Sequence, residues 1–153
     1  MTRRSPWFGL GLPAGVLLAL LTAGCSSGTT EKQGNEAELD LKQIGDAYGQ
    51  ALARLGRPPR SAEEIKPELT AMAVGDLNAV FQSPNDNQPY VIIWGVSLAE
   101  VDPTAEKQPV LAYERTGAGG TRYVLLANGA VVPMTAEEFA AATFPPGHRP
   151  PTS

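Results

Sequence analysis

Few side chains of this chain are of the types that do chemistry, and their spacing restricts them further. The only cysteine, Cys25, follows the small residues Ala23 and Gly24 at the end of an apolar run. The only histidine, His148, lies among Pro145, Pro146, Pro150 and Pro151. A nucleophile needs a base positioned within hydrogen-bond reach, and a lone histidine in a proline-rich tail supplies none. Zinc takes several cysteine or histidine ligands, which one of each does not provide. The acidic pairs Glu63-Glu64 and Glu137-Glu138 end three residues after Ser61 and Thr135, the spacing of a helix capping box. Asp86, flanked by Asn85 and Asn87, has oxygens for calcium but lacks the ligand count and closing glutamate of an EF-hand loop. Gly117 to Thr121 has no Gly-Lys-Ser/Thr ending, so it reads as a strand connection and not a phosphate loop. The expectation is a protein with no catalytic residue, no metal and no cofactor. Trp94 and Tyr113 are the side chains best suited to hold a small ligand or a peptide.

The setting of Cys25 is more specific. Arg3 and Arg4 open the chain, an apolar stretch from Trp7 to Ala23 follows, and Leu21-Thr22-Ala23-Gly24 leads into the cysteine. That order is a charged n-region, an apolar h-region and a small-residue cleavage site. Leu21 to Cys25 resembles the lipobox of bacterial lipoproteins. The resemblance implies cleavage before Cys25 and acylation of its sulfur and amine, so that membrane lipid becomes the first partner. An uncleaved anchor is the rival, but Pro13 and several glycines interrupt the stretch, which is shorter than the ~20 residues of a spanning helix. Pro6 stands where a twin-arginine export signal wants a large apolar residue. By the sorting rule for such lipoproteins, Ser26 after the cysteine favours the outer membrane, facing the periplasm or the exterior. Several acyl chains together anchor a protein stably.

Removing residues 1–24 leaves 129 residues, with 10 basic against 16 acidic side chains and a net charge of −6. That length suits one small domain. The acidic balance and scattered cations argue against nucleic acid, whose binders cluster basic residues on one face. Four segments are expected: the signal peptide 1–24, the lipidated cysteine with a flexible polar tether 25–34, a globular domain 35–144, and a disordered proline-rich tail 145–153.

Within the domain, Leu41, Ile44, Tyr48, Leu52 and Leu55 recur at helical spacing from Glu36 onward. Gly56 suits the helix end, and Pro58-Pro59 prevent a return. Gly45, Gly49 and Ala53 form a small-residue line that suits close packing on a sheet. A short helix follows Ser61 and is ended or kinked by Pro67. Residues 70–83 fit neither helix nor strand clearly, with Leu77, Val80 and Phe81 as core candidates. Tyr90 to Trp94 and Val110 to Glu114 read as strands. Thr121 to Ala127 and Ala130 to Val132 flank Asn128-Gly129, a pair that predicts a two-residue type I′ hairpin with φ positive at both residues. Thr135-Ala136-Glu137-Glu138 begins a last short helix. The fold class is α+β, with the amphipathic helix backing an antiparallel sheet of three to four strands.

Leu41-Lys42-Gln43-Ile44-Gly45, Tyr48 and Gly56-Arg57-Pro58-Pro59 together resemble the planctomycetal pseudopilin-like proteins, a family with a prepilin-type leader. Tyr123 to Met134, a strand–turn–strand leading to an acidic short helix, is similar to the same family. The resemblance implies a pilin-like head, here carried on a lipid in place of the long apolar helix that filament subunits use to assemble. The functional expectation is an envelope lipoprotein whose non-catalytic head binds another envelope or secretion component. The alternative is a small-ligand or peptide-binding module, and an enzyme is a distant third.

Overall fold

The computed structural model describes residues 27–150. Cys25, Ser26, the signal segment 1–24 and the last residues 151–153 lie outside the described residues. The element order is α1 (Ser27–Leu55), α2 (Ala62–Ala71), a 3-10 turn (Ala79–Phe81), β1 (Val91–Ile92), a second 3-10 turn (Leu98–Glu100), β2 (Val110–Tyr113), β3 (Thr121–Leu126), β4 (Val131–Thr135) and α3 (Ala136–Ala140). The strands form one antiparallel sheet in the order β1-β2-β3-β4. The α+β class expected from the pattern is the one found.

The stripe on α1 makes the core. Ala37, Leu41, Ile44, Ala47, Tyr48 and Ala51 are fully buried, and all of these but Ala37 pack with Ile65 and Leu69 of α2 and with Leu111, Ala112 and Leu125 of the sheet. A leucine or isoleucine contributes about 1.5–3 kcal/mol when it leaves water, so Leu41 and Ile44 hold this face of α1 to the sheet. Gly45 permits the approach: a Cβ there would stand 3.1 Å from the Leu125 methyls. Gly49 does not continue the line, because nothing lies within 4 Å of its Cβ position. Beyond Leu55, Gly56 takes φ +66 and its N–H bonds the Leu52 carbonyl, which closes the helix.

The opposite sheet face has its own cover, which the sequence pattern did not announce. Ile93, Val110, Tyr113 and Val124 pack there with Phe139 of α3 and with Phe144. Every residue of β2 is consequently buried, as a strand covered on both faces must be. A register shift between Val110 and Ala112 turns Leu111 and Ala112 both toward α1. Arg122 lies over the Phe139 ring, 4.3 Å from its centre, and donates to the Arg115 carbonyl.

Several local expectations need correction. α1 begins at Ser27 and not near Glu36, so the polar segment read as a flexible tether is helical from residue 27. Extending an existing helix adds a hydrogen bond per residue without a new nucleus. Gly34 belongs with the fold, because its Cβ position meets the Tyr123 hydroxyl at 2.8 Å. Ser61 sits at the α2 N-cap but its side chain makes no cap bond. The Glu64 carboxylate meant for the box is taken instead by the Arg57 guanidinium and the Arg60 N–H. Pro67 lies inside α2, which runs on to Ala71. Residues 70–83 are neither a long helix nor a strand; a 3-10 turn buries Val80, while Leu77 and Phe81 are half-buried.

The hairpin after β3 also differs. Gly129 has φ +84, but Asn128 is not in the left-handed region. The Gly129 N–H bonds the Leu126 carbonyl, and the Leu126 N–H bonds the Ala130 carbonyl. This is a three-residue loop, a type I turn followed by a left-handed glycine. Ala127 is drawn into the turn because its own N–H is committed to the Pro109 carbonyl. At Thr135 the expected capping box is complete, with the Glu138 carboxylate on the Thr135 N–H and the Thr135 hydroxyl on the Glu138 N–H.

Candidate functional site

A groove of about 900 Å³ opens between the segment after β1 and the C-terminal residues. Tyr48 of α1 does not line it but holds two residues that do, Trp94 and Val96. The Tyr48 hydroxyl accepts from the Val96 N–H at 2.8 Å and donates to the Val96 carbonyl at 3.0 Å. Burial pushes that phenol above its ordinary pKa, so it stays a neutral donor. Trp94 stacks on the Tyr48 ring, with centroids 6.1 Å apart and planes 14° from parallel. The Gly95 N–H bonds the Pro59 carbonyl at 2.9 Å, tying this wall to the chain leaving α1.

The other wall is Pro145, Pro146, Gly147 and His148. This part of the chain was expected to be a disordered tail; through His148 it is packed on the domain. Gly147 takes φ +88 and the His148 N–H bonds the Pro145 carbonyl, a turn that brings the imidazole back. His148 Nε2 then lies 3.1 Å from the Tyr113 hydroxyl. Tyr113, Phe139, Phe144 and His148 form one set of ring contacts, with centroids 4.8–6.2 Å apart. Burial lowers the His148 pKa and favours the neutral ring.

The two side chains singled out from sequence therefore have different places. Trp94 lines the groove and remains half-buried. Tyr113 is fully buried on the second sheet face and does not line the groove; its hydroxyl lies beside His148, which does. The residue that sequence reasoning set aside is His148. Its signal was Phe144 followed by Pro-Pro-Gly, an aromatic anchor and a turn placed before the ring.

A second polar cluster lies between α1 and the sheet. The Glu114 carboxylate is wholly buried and accepts from the Ser83 hydroxyl at 2.6 Å, the Asn85 amide at 2.7 Å and the Tyr123 N–H at 2.7 Å. Beside it, the Tyr90 hydroxyl is 3.5 Å from both the Ala37 carbonyl and an Asp40 oxygen. Burial, with Glu36 nearby, raises the Asp40 pKa to about 6, against the opposing hydrogen bond from Tyr90. Burial and the neighbouring Asp40 and Glu114 charges also push the Tyr90 phenol up. These groups are occupied with one another and have no nucleophile open to solvent among them, since Ser83 is wholly buried.

Asp86 has a structural use. One oxygen accepts from Thr116 N–H, Thr116 hydroxyl and Gly117 N–H, and the other from Gln88 N–H. Those bonds hold its pKa below the usual carboxylate value despite partial burial. They also organise the glycine-rich connection before β3. No group of three or more histidine, cysteine or acidic side chains able to hold a metal occurs among the described residues. No helix of the described residues is long and apolar enough to cross a membrane. Comparison with family models, with curated proteins and with solved structures finds no match to this chain.

Proposed function

We propose that this chain is a lipid-anchored envelope protein whose α+β head acts by binding, without catalysis, through the groove at Trp94. The observation that carries the reading is the groove itself, with a stacked aromatic on one side and a folded-back proline segment on the other. Other contact surfaces have less to recommend them. Leu39 is the only large apolar side chain more than a third exposed among the described residues. The outer strands offer little edge for pairing: β1 has two residues, and β4 carries Pro133, which lacks a donor. The leader and the Leu21-to-Cys25 box support acylation at Cys25, with Ser26 favouring the outer membrane. A helix on an antiparallel sheet accords with a pilin-like head and so with a role in contact.

Geometry gives that role a direction. Tyr48 lies 21 residues into α1, about 30 Å along the axis from Ser27. An acylated Cys25 just before α1 would put the groove at the far end of the helix, away from the bilayer. The test is an affinity isolation from detergent-solubilised envelope using the acylated protein, run beside a Trp94→Ala variant whose circular dichroism is unchanged. A partner retained by the wild type and lost by the variant is the expected outcome. A partner retained equally by both would move the contact surface off the groove.

A further inference from the structure

The C-terminal wall of the groove hangs on one side chain. Up to Phe144 the chain is fixed: the Thr143 carbonyl accepts from the Val110 N–H, and Phe144 packs on the second sheet face. Beyond that point, the one hydrogen bond from residues 145–150 to the rest of the described residues joins His148 Nε2 to the Tyr113 hydroxyl. The imidazole also packs against the rings of Tyr113 and Phe144, with centroids 5.9 and 5.6 Å away. Pro146 and Gly147, which complete the wall, are exposed. A positive charge on the His148 ring has no counterpart here. With its proton on Nδ1, the neutral ring accepts the Tyr113 hydroxyl proton at Nε2. Protonation turns Nε2 into a donor, and the buried phenol must then accept, leaving its own hydrogen without a partner among the described residues. The Arg122 and Arg115 charges act on the same phenol, and Arg149 adjoins His148 in the chain. Glu100, the one acidic residue in the groove lining, makes no ion pair with a described residue. Burial disfavours the imidazolium as well.

We propose that residues 145–150 are an acid-sensitive strap, which walls the groove while His148 is neutral and leaves the domain when the imidazole is protonated. As a control on binding, it rests on the groove being the contact surface. Acid favours release by up to about tenfold per pH unit, from the ordinary histidine value of 6.5 down to that of the packed ring. The test uses the full chain in detergent with Trp7→Phe, which leaves Trp94 as the only tryptophan. Acrylamide quenching of Trp94 is followed from about pH 8 to about pH 4.5, while NMR reads the titration of the single histidine in the same sample. Quenching should rise with the midpoint of the imidazole, below 6.5, with far-UV circular dichroism unchanged. His148→Phe keeps a ring that cannot titrate and should show no such rise. Asp40 titrates in both proteins and drops out of the comparison. An equal rise in His148→Phe, no rise in the wild type, or an imidazole midpoint at or above 6.5 would overturn the strap. Helical signal lost at the same midpoint would make the change a global unfolding and overturn it too. Each of those failures leaves the groove itself to be judged by the Trp94→Ala isolation.

Discussion

Asp40 shows how one residue can record its surroundings. Its folded pKa of about 6 lies above the ordinary 3.8, so ionising it opposes folding. Its stabilising effect is complete below the unfolded pKa and is lost as pH rises through about 6. Glu36 on the same helix and Tyr90 from the sheet side are the groups that act on it, and Glu114 acts on Tyr90 in turn. His148 works in the opposite direction in an overlapping range, because its lowered pKa removes stability as pH falls. The wild-type curve therefore mixes two effects, and the difference between wild type and Asp40→Asn separates them. Thermal melts should show the variant's relative stability greater at about pH 7.5 than at about pH 5. An unchanged difference at both pH values would mean that Asp40 is not held in a desolvated site. Glu114 gives a second prediction. Glu114→Leu orphans the Ser83 hydroxyl and the Tyr123 N–H, and should cost on the order of 3 kcal/mol by chemical denaturation. Neither effect was legible in the sequence, because Glu114 reads as the polar end of a strand until Ser83 and Asn85 fold over it.

At the scale of elements, what could be read was what repeats. The stripe from Leu41 to Leu55 and the β-branched and aromatic runs announce α1 and the strands because period alone encodes them. Turn details depend on what the neighbouring backbone is bonded to, as at Ala127, and so escape a dipeptide rule. Gly129→Val should still destabilise the hairpin, by about 1–3 kcal/mol. The cause is the φ of +84 and not crowding, since nothing stands within 4 Å of its Cβ position. Gly129→Asn, better tolerated at positive φ, should cost less than valine in the same denaturation series. Equal losses would point to packing instead of backbone strain. The second face of the sheet was missed for a different reason. Phe139 and Phe144 sit in a short helix and a proline-rich exit, segments too brief to show a period. Deleting residues 145–153 should leave the fold intact, because Phe144 and the Val110–Thr143 hydrogen bond remain. It removes the His148 contact, at a cost of about 1 kcal/mol and about 5 °C in Tm. A deletion variant that failed to fold would show the tail to be part of the core.

For the whole molecule, the proposed envelope role joins the leader expected from the sequence to a head that offers a groove. The fold class of the head was legible in the sequence; the groove that Trp94 lines was not, because it exists only where the tail returns to the domain. The proposal rests on Cys25; were it acylated, the groove would stand about 30 Å along α1 from Ser27, away from the lipid. The most direct test is metabolic labelling of cells with a fatty-acid analogue, followed by fractionation of wild type and Cys25→Ala. The account predicts a labelled, processed, membrane-bound wild type, and a variant that carries no label and is not processed at residue 25. Acyl label persisting in Cys25→Ala, or an unlabelled wild type, would contradict it.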